Sequence, residues 1–240
     1  ISTTVVLNAQ GEHIRGIIDG AVLNGVQYQI QDYPGGTGHA VKCSQNLWKK
    51  DHILILNGDT PLVTSDLVER LFTQHIASQA TVSFVTCNVD DPCRIAYGRV
   101  IEHDGAFKII EQKDCTPEQL LINRVNAGIY LVERRFLSEV VHMLTPSPVS
   151  GEIYITDIVQ HASDANKKVI ATTVPFDTIR GVNKLDELAE VERIKRLELV
   201  AYWQEKGVRF VAPENTYLDY NIHIGEGSII GAGVHILNGA

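Results

Sequence analysis

The chain has 240 residues, 44% of them apolar, and 21 Lys and Arg stand against 29 Asp and Glu for a formal charge of −8. That length allows one large domain or a domain with an appendage, either of which can bury a substantial core. The acidic balance gives no general basic footprint for nucleic acid or an anionic membrane, and no run approaches the roughly 20 apolar residues of a membrane span. A cytoplasmic protein with neither kind of partner is expected. Cys43, Cys87, Cys93 and Cys115 lack C-x-x-C spacing and read as four free thiols. The first residue is Ile1, the only methionine is Met143, and the chain opens directly on a strand-like run, which reads as an internal start.

In chain order, Thr3 to Leu7 is a β-branched run, and Ile14, Ile17 and Ile18 fall at helical spacing. Val26, Tyr28 and Ile30 alternate like a strand, and after a glycine cluster Ala40 to Leu47 reads as helix. His52 to Leu56 is almost wholly apolar, as expected of an interior strand in a parallel sheet covered on both faces. Thr64 to Ile76 reads as a helix with Thr64 or Ser65 as its N-cap. The order βαβαβα predicts an open, mostly parallel α/β sheet of the doubly wound type, with its ligand crevice beyond the carboxyl ends of the strands.

From Ala80 the pattern turns β-rich. Thr81 to Cys87 is a strand, and Gly98 to Glu102 and Phe107 to Gln112 form a hairpin through His103, Asp104 and Gly105. Asn126 to Val132 is a strand, Arg134 to Met143 a helix, Thr145 to Val149 a breaker-rich loop, Thr156 to Ser163 a helix and Lys168 to Val174 a strand. Lys184 to Gln204 is a long helix whose alternating charges suggest a solvated face. Leu218, Ile224, Ile230 and Ile236 then recur every six residues, the spacing of a left-handed β-helix, of which roughly one coil is present.

Two segments carry chemistry. Gln31 to Ala40 places three glycines and a threonine between a strand and a helix, where backbone N–H groups can approach a phosphate or nucleotide. A tight strand-to-helix turn fits the same residues. Asn57-Gly58-Asp59-Thr60-Pro61 follows the apolar run, so Asp59 is expected to face the crevice and could hold Mg²⁺ against substrate phosphates. A simple Asp-Gly turn is the alternative.

Taken in order, the motifs resemble the sugar nucleotidyltransferase family, and within it the bacterial N-acetylglucosamine-1-phosphate uridyltransferases. The resemblance rests on Gln31 with Gly36-Thr37-Gly38-His39-Ala40, Gly58-Asp59-Thr60-Pro61, Tyr97-Gly98-Arg99 and Ile110-Glu111-Gln112-Lys113-Asp114. It continues through Asn126-Ala127-Gly128-Ile129-Tyr130, Gly151 to Asp157, Gly181-Val182-Asn183 and Thr216-Tyr217-Leu218-Asp219. It implies a Rossmann-like nucleotidyltransferase domain over 1–183, a linker helix over 184–206 and the start of a left-handed β-helix over 207–240. The implied reaction is Mg²⁺-dependent transfer of uridylyl from UTP to N-acetylglucosamine 1-phosphate, giving UDP-N-acetylglucosamine, a cell-wall precursor, and pyrophosphate.

By resemblance, Gln31 recognises uracil, with Gly36 and Thr37 around the base. Asp59 and Asn183 are the catalytic Mg²⁺ ligands, with Asp59 also beside the nucleotide, and Asn183 can also be a helix N-cap. Gly98 offers its N–H to the sugar, and Glu111 and Asn126 bind the sugar hydroxyls and acetamide. Glu152, Tyr154 and Thr156 are further sugar-site residues. Taken singly, Gly98 would be a strand glycine, Glu111 a solvated strand position, and Glu152, Tyr154 and Thr156 a polar helix start. His39 reads as stabilising the loop.

The family's N-terminal phosphate loop, with its Gly-Thr-Arg and Pro-Lys, has no counterpart here. Thr3 to Ile18 instead resembles the family's second strand and helix, so a domain lacking its first strand, inactive alone, is the expectation. The family also has an acetyltransferase in a β-helix that trimerises, but no residue here is assigned to that activity. A nucleotidyltransferase with other substrates and a non-catalytic assembly protein are the alternatives.

Overall fold

The computed structural model describes residues 2–20 and 25–237, so the outer ends of the expected domains lie outside the described residues. Two compact units emerge, one made of 1–57 with 64–176, the other of 58–63 with 177–240. The boundary therefore falls after Phe176, and the turn carrying Asp59 goes with the second unit.

The first unit begins with β1 (Thr3–Asn8), α1 (Glu12–Gly20), β2 (Val26–Gln31) and α2 (Thr37–Cys43). It continues with β3 (His52–Leu56), α3 (Ser65–Ala77), β4 (Val82–Asn88), β5 (Arg99–His103), β6 (Ala106–Ile110) and α4 (Pro117–Leu120). It ends with β7 (Arg124–Glu133), α5 (Arg134–Val140), α6 (Asp157–Asp164) and β8 (Val169–Thr173). Thr64 is the N-cap of α3, its hydroxyl accepting from Leu67 N at 3.3 Å. Asp104 and Gly105 both take positive φ in the β5–β6 turn, the conformation that a tight hairpin requires.

β1 and β2 pair in parallel as a two-stranded sheet. The other strands of this unit form a six-stranded sheet in which β7 pairs antiparallel with β3, β4 and β5, while β4 pairs in parallel with β8. Hence β3, β4, β5 and β8 point one way, and β7 and β6 run against them. The sheet is mostly parallel in direction, with an antiparallel strand through its middle. β4 and β7 are buried almost end to end because each has neighbours on both edges. Phe84, Tyr130, Val82 and Val132 from these strands pack with Leu137 of α5 and Ile158 and Val159 of α6. Each such side chain contributes roughly 1.5–3 kcal/mol when buried.

The expectation for His52 to Leu56 is corrected. Among the described residues β3 has β7 as its one strand partner, and Leu54 and Leu56 are 37% and 45% exposed. Covered on one edge, the run keeps the composition of an interior strand without the burial.

At the amino-terminal end of β3 and β4 sits a fully buried His75. Its Nε2 lies 3.1 Å from His52 Nδ1, and its Nδ1 lies 2.6 Å from Ser83 Oγ. Burial first, and then the His52 charge, lower the His75 pKa to about 4, against a weaker pull from Glu133. An unfolded histidine titrates near 6.5, so the depressed His75 contributes stability that is fully present above that pH and is lost as pH falls toward 4. Urea unfolding at pH 7 and pH 4.5 should differ by an amount that includes about 2 kcal/mol from His75. In His75→Leu that part should vanish; an unchanged pH slope would remove His75 as its source.

The second unit holds α7 (Leu185–Glu205), β9 (Arg209–Phe210), β10 (Tyr217–Leu218), β11 (Ile229–Ile230) and β12 (His235–Ile236). Val200 and Trp203 of α7 cluster with Val208, Phe210, Leu218 and Ile224. Tyr217 pairs in parallel with His235 and Leu218 with Ile236, eighteen positions on, while Arg209 pairs with Ile229 and Phe210 with Ile230, twenty positions on. Glu187 Oε2 accepts from the backbone N–H of both Asn183 and Lys184, and Lys184 rather than Asn183 is the cap residue of α7.

Candidate functional site

The glycine loop after β2 is docked against the segment before α6. Gly38 N donates to Ile153 O at 2.8 Å, Ile153 N donates to Gly35 O at 2.8 Å, and Ile155 N donates to Thr37 Oγ1 at 3.1 Å. Gly36 stands at φ 94° and ψ 175°. A Cβ there would lie 2.5 Å from Ile153 O and 3.0 Å from Glu152 Cβ, so only glycine allows this approach. Gln31 closes the loop from β2, its Nε2 donating to Gly36 O at 3.0 Å and lying 3.0 Å from His39 Nδ1. Tyr33 stacks on the His39 ring with centroids 4.2 Å apart.

The predicted sugar residues of this unit lie close to one another. Gly98 O accepts from Asn126 N at 2.9 Å, and a Cβ on Gly98 would come within 3.5 Å of Glu111 Oε2. Asn126 is held at both ends of its amide, with Nδ2 donating to Tyr130 OH at 2.6 Å and Oδ1 accepting from Gly128 N at 3.3 Å. Burial raises the Glu111 pKa most. The neighbouring Asp157, Asp114 and Glu152 push the same way, and the nearby Thr156 hydroxyl opposes. Thr156 Oγ1 is itself buried without a partner of good hydrogen-bond geometry, as is Asp114 Oδ1. Two buried polar atoms beside a carboxylate that resists ionisation leave acceptors and donors for a neutral, hydroxyl-rich ligand. Tyr154 OH donates to Ser150 Oγ at 2.5 Å, and Glu152 pairs with Lys113 at 2.9 Å.

In the second unit, Val182 N donates to Asp59 O at 2.8 Å, tying the turn after β3 to the residue before Asn183. Asp59 and Asn183 are both exposed, and each offers a hard oxygen. Among the described residues no group of three or more His, Cys, Asp or Glu converges on a metal position. Mg²⁺ needs no such cage, since one or two protein oxygens suffice when waters and substrate phosphates complete the octahedron, and this donor set fits it.

Residues 4–205 match the family described as nucleotidyl transferase. The chain belongs to that family. Among its curated relatives, the bifunctional protein GlmU of Clostridium beijerinckii is 37% identical over 208 residues, covering 85% of this chain and 45% of that protein. The GlmU of Clostridium tetani is 39% identical over 218 residues, covering 89% and 47%. The chain thus spans about half the length of the curated relatives it matches. A solved structure of a candidate UDP-N-acetylglucosamine pyrophosphorylase from Entamoeba histolytica shares the fold at a TM-score of 0.67 and 13% identity, covering 99% of this chain and 78% of that one.

As a nucleotidyl transferase family member, the chain gathers its sequence-predicted residues into two places. Gln31, Gly36, Thr37, Gly98, Glu111, Asn126, Glu152, Tyr154 and Thr156 belong to the first unit, and Asp59 and Asn183 to the second. Tyr130, Asp114 and Lys113 were not assigned roles from sequence, although each lies inside a motif quoted above. Arg99, also in a motif, is fully buried and spends its guanidinium on the carbonyls of Tyr97 and Pro92, which braces the turn before β5.

Proposed function

We propose that this chain is the catalytic part of a sugar-phosphate nucleotidyltransferase, with UTP and N-acetylglucosamine 1-phosphate as substrates. The observation that carries this reading is the docking of the glycine loop on Glu152 to Ile155, which gives the base motif and the sugar motif a shared wall. The match to the nucleotidyl transferase family supports its coarser part, nucleotidyl transfer.

In the reaction, a phosphate oxygen of the sugar phosphate bonds to the α-phosphorus of UTP, the bond to the β-phosphate bridging oxygen breaks, and pyrophosphate leaves. No protein nucleophile is needed; the task is to align two polyanions. Gln31 and the loop hold the base. Beside Glu111, the carboxyl groups of Asp114, Glu152 and Asp157 form an acidic wall that accepts a neutral sugar and repels its phosphate, so the phosphate is oriented outward. Asn126 meets the sugar, its amide fixed by Tyr130 and Gly128. Asp59 and Asn183 would hold Mg²⁺, which when bound neutralises phosphate charge. Residues 207–240 are read as the start of a hexapeptide β-helix, and the whole protein as a cytoplasmic homotrimer.

The test is a substrate panel with the full-length protein, pairing UTP, dTTP and CTP with several sugar 1-phosphates. Preference for UTP with N-acetylglucosamine 1-phosphate supports the reading, another preferred pair redirects the substrates, and no transfer with any pair contradicts the activity. Within that assay Asn126→Ala should raise KM for the sugar phosphate by about tenfold or more, the loss expected when a polar contact in a built site goes unpaired, while KM for UTP moves little. The reverse pattern would mean the base and sugar pockets are exchanged.

A further inference from the structure

The hydrogen bonds around Gln31 fix which way its amide faces. A backbone carbonyl can only accept, so the Gln31 atom 3.0 Å from Gly36 O must be the NH₂ group. The same nitrogen lies 3.0 Å from His39 Nδ1, which must therefore be the bare, accepting ring nitrogen. The ring proton is then on Nε2, which faces Cys43 Sγ at 3.7 Å, a sulfur that burial keeps in the thiol form. Stacking on Tyr33 and the close approach of Gly35, where a Cβ would lie 2.9 Å from His39 Nδ1, lock the ring in place. Both Gln31 N–H bonds are thus directed inward, and Oε1 is the atom left to a ligand.

We propose that His39 is a specificity-determining positioning residue: its accepting Nδ1, together with Gly36 O, holds the Gln31 amide with the oxygen outward, so the loop selects bases that present a ring N–H. The proposal rests on the reading of Gln31 as the base-recognising residue. Uracil offers N3–H to such an acceptor. Cytosine has a bare N3 at the same ring position, and two acceptors facing each other leave both unpaired. Without the Nδ1 acceptor a single bond, to Gly36 O, is left to hold the NH₂ inward, so the amide turns over more readily and presents NH₂, which cytosine N3 accepts. His39 would act through Gln31 without touching the nucleotide.

The experiment compares kcat/KM for UTP and for CTP in the full-length protein with His39→Phe and Gln31→Ala. Phenylalanine keeps a ring against Tyr33 and removes the acceptor, so a stacking role would survive it. His39→Phe should lower the UTP-to-CTP ratio by about tenfold or more, with most of the change in discrimination rather than in kcat. If Gln31→Ala collapses the ratio and His39→Phe leaves it intact, the orienting role is overturned and the base reading stands. If Gln31→Ala itself leaves the ratio unchanged, the base reading fails. Independently of any variant, ¹⁵N NMR of the wild-type protein should show His39 as the Nε2–H tautomer; an Nδ1–H signal would overturn the proposal.

Discussion

Asp59→Ala in the full-length protein should lower Mg²⁺-dependent nucleotidyl transfer by about 10³-fold, because a metal's stabilisation of transition-state charge is worth several kcal/mol and each 1.4 kcal/mol is tenfold. The fold should hardly notice. The carboxylate is exposed, and the structural contribution of this residue is its backbone carbonyl, which accepts from Val182 N and survives the substitution. A surface change of this kind normally stays within about 0.5 kcal/mol of stability. Steady-state kinetics across a Mg²⁺ series together with thermal unfolding separates the two effects. Activity within a few fold of wild type would remove Asp59 from the metal site, and a large loss of Tm would make its role structural.

Gly36→Ala should damage both stability and nucleotide use. Its φ of 94° with ψ of 175° belongs to a region that essentially only glycine visits, and forcing another residue there costs about 1–3 kcal/mol. The added methyl group would also meet Ile153 O at 2.5 Å, a backbone atom that cannot rotate away. The expected outcome is a fall in Tm of roughly 4–8 °C, following the usual scaling for a chain of this size. Displacing the loop should also cost about 10²-fold in kcat/KM for the nucleotide, as a misplacement near 1 Å does. Scanning calorimetry and initial rates check the two halves, and a variant with wild-type Tm would show that the loop is not pinned as described.

What could be read from the sequence was what local chemistry decides. A cap at Thr64 or Ser65 was legible because a hydroxyl before an amphipathic run has few other uses, and the structure assigns it to Thr64; Asp104-Gly105 was legible as a turn because both residues tolerate positive φ. The antiparallel course of β7 was not legible. Val125 to Val132 is buried throughout, and a fully buried strand carries the same apolar run whichever way it points. The partial exposure of β3 was hidden for a related reason: burial depends on neighbours that come from elsewhere in the chain.

The site shows the same division. Its motifs named Gln31, Thr37, Glu111 and Asn126, but the need for glycine at 36 comes from Ile153, and the Thr37 hydroxyl is taken by a backbone N–H 118 residues away. Nothing near Gln31 in sequence indicates that His39 consumes one of its amide protons, because that bond depends on α2 turning the imidazole back over the loop. Likewise the resistance of Glu111 to ionisation is a property of burial and of three carboxylates contributed by separate segments.

On the proposed function, the glycine loop and the segment before α6 form one ligand site. Amide hydrogen exchange of the full-length protein, with and without UDP-N-acetylglucosamine and Mg²⁺, tests it most directly. Ligand should slow exchange in both Gln31 to Ala40 and Glu152 to Thr156, and Asn126→Ala should reduce the effect in both. Protection confined to one segment, or falling wholly outside both, would contradict it.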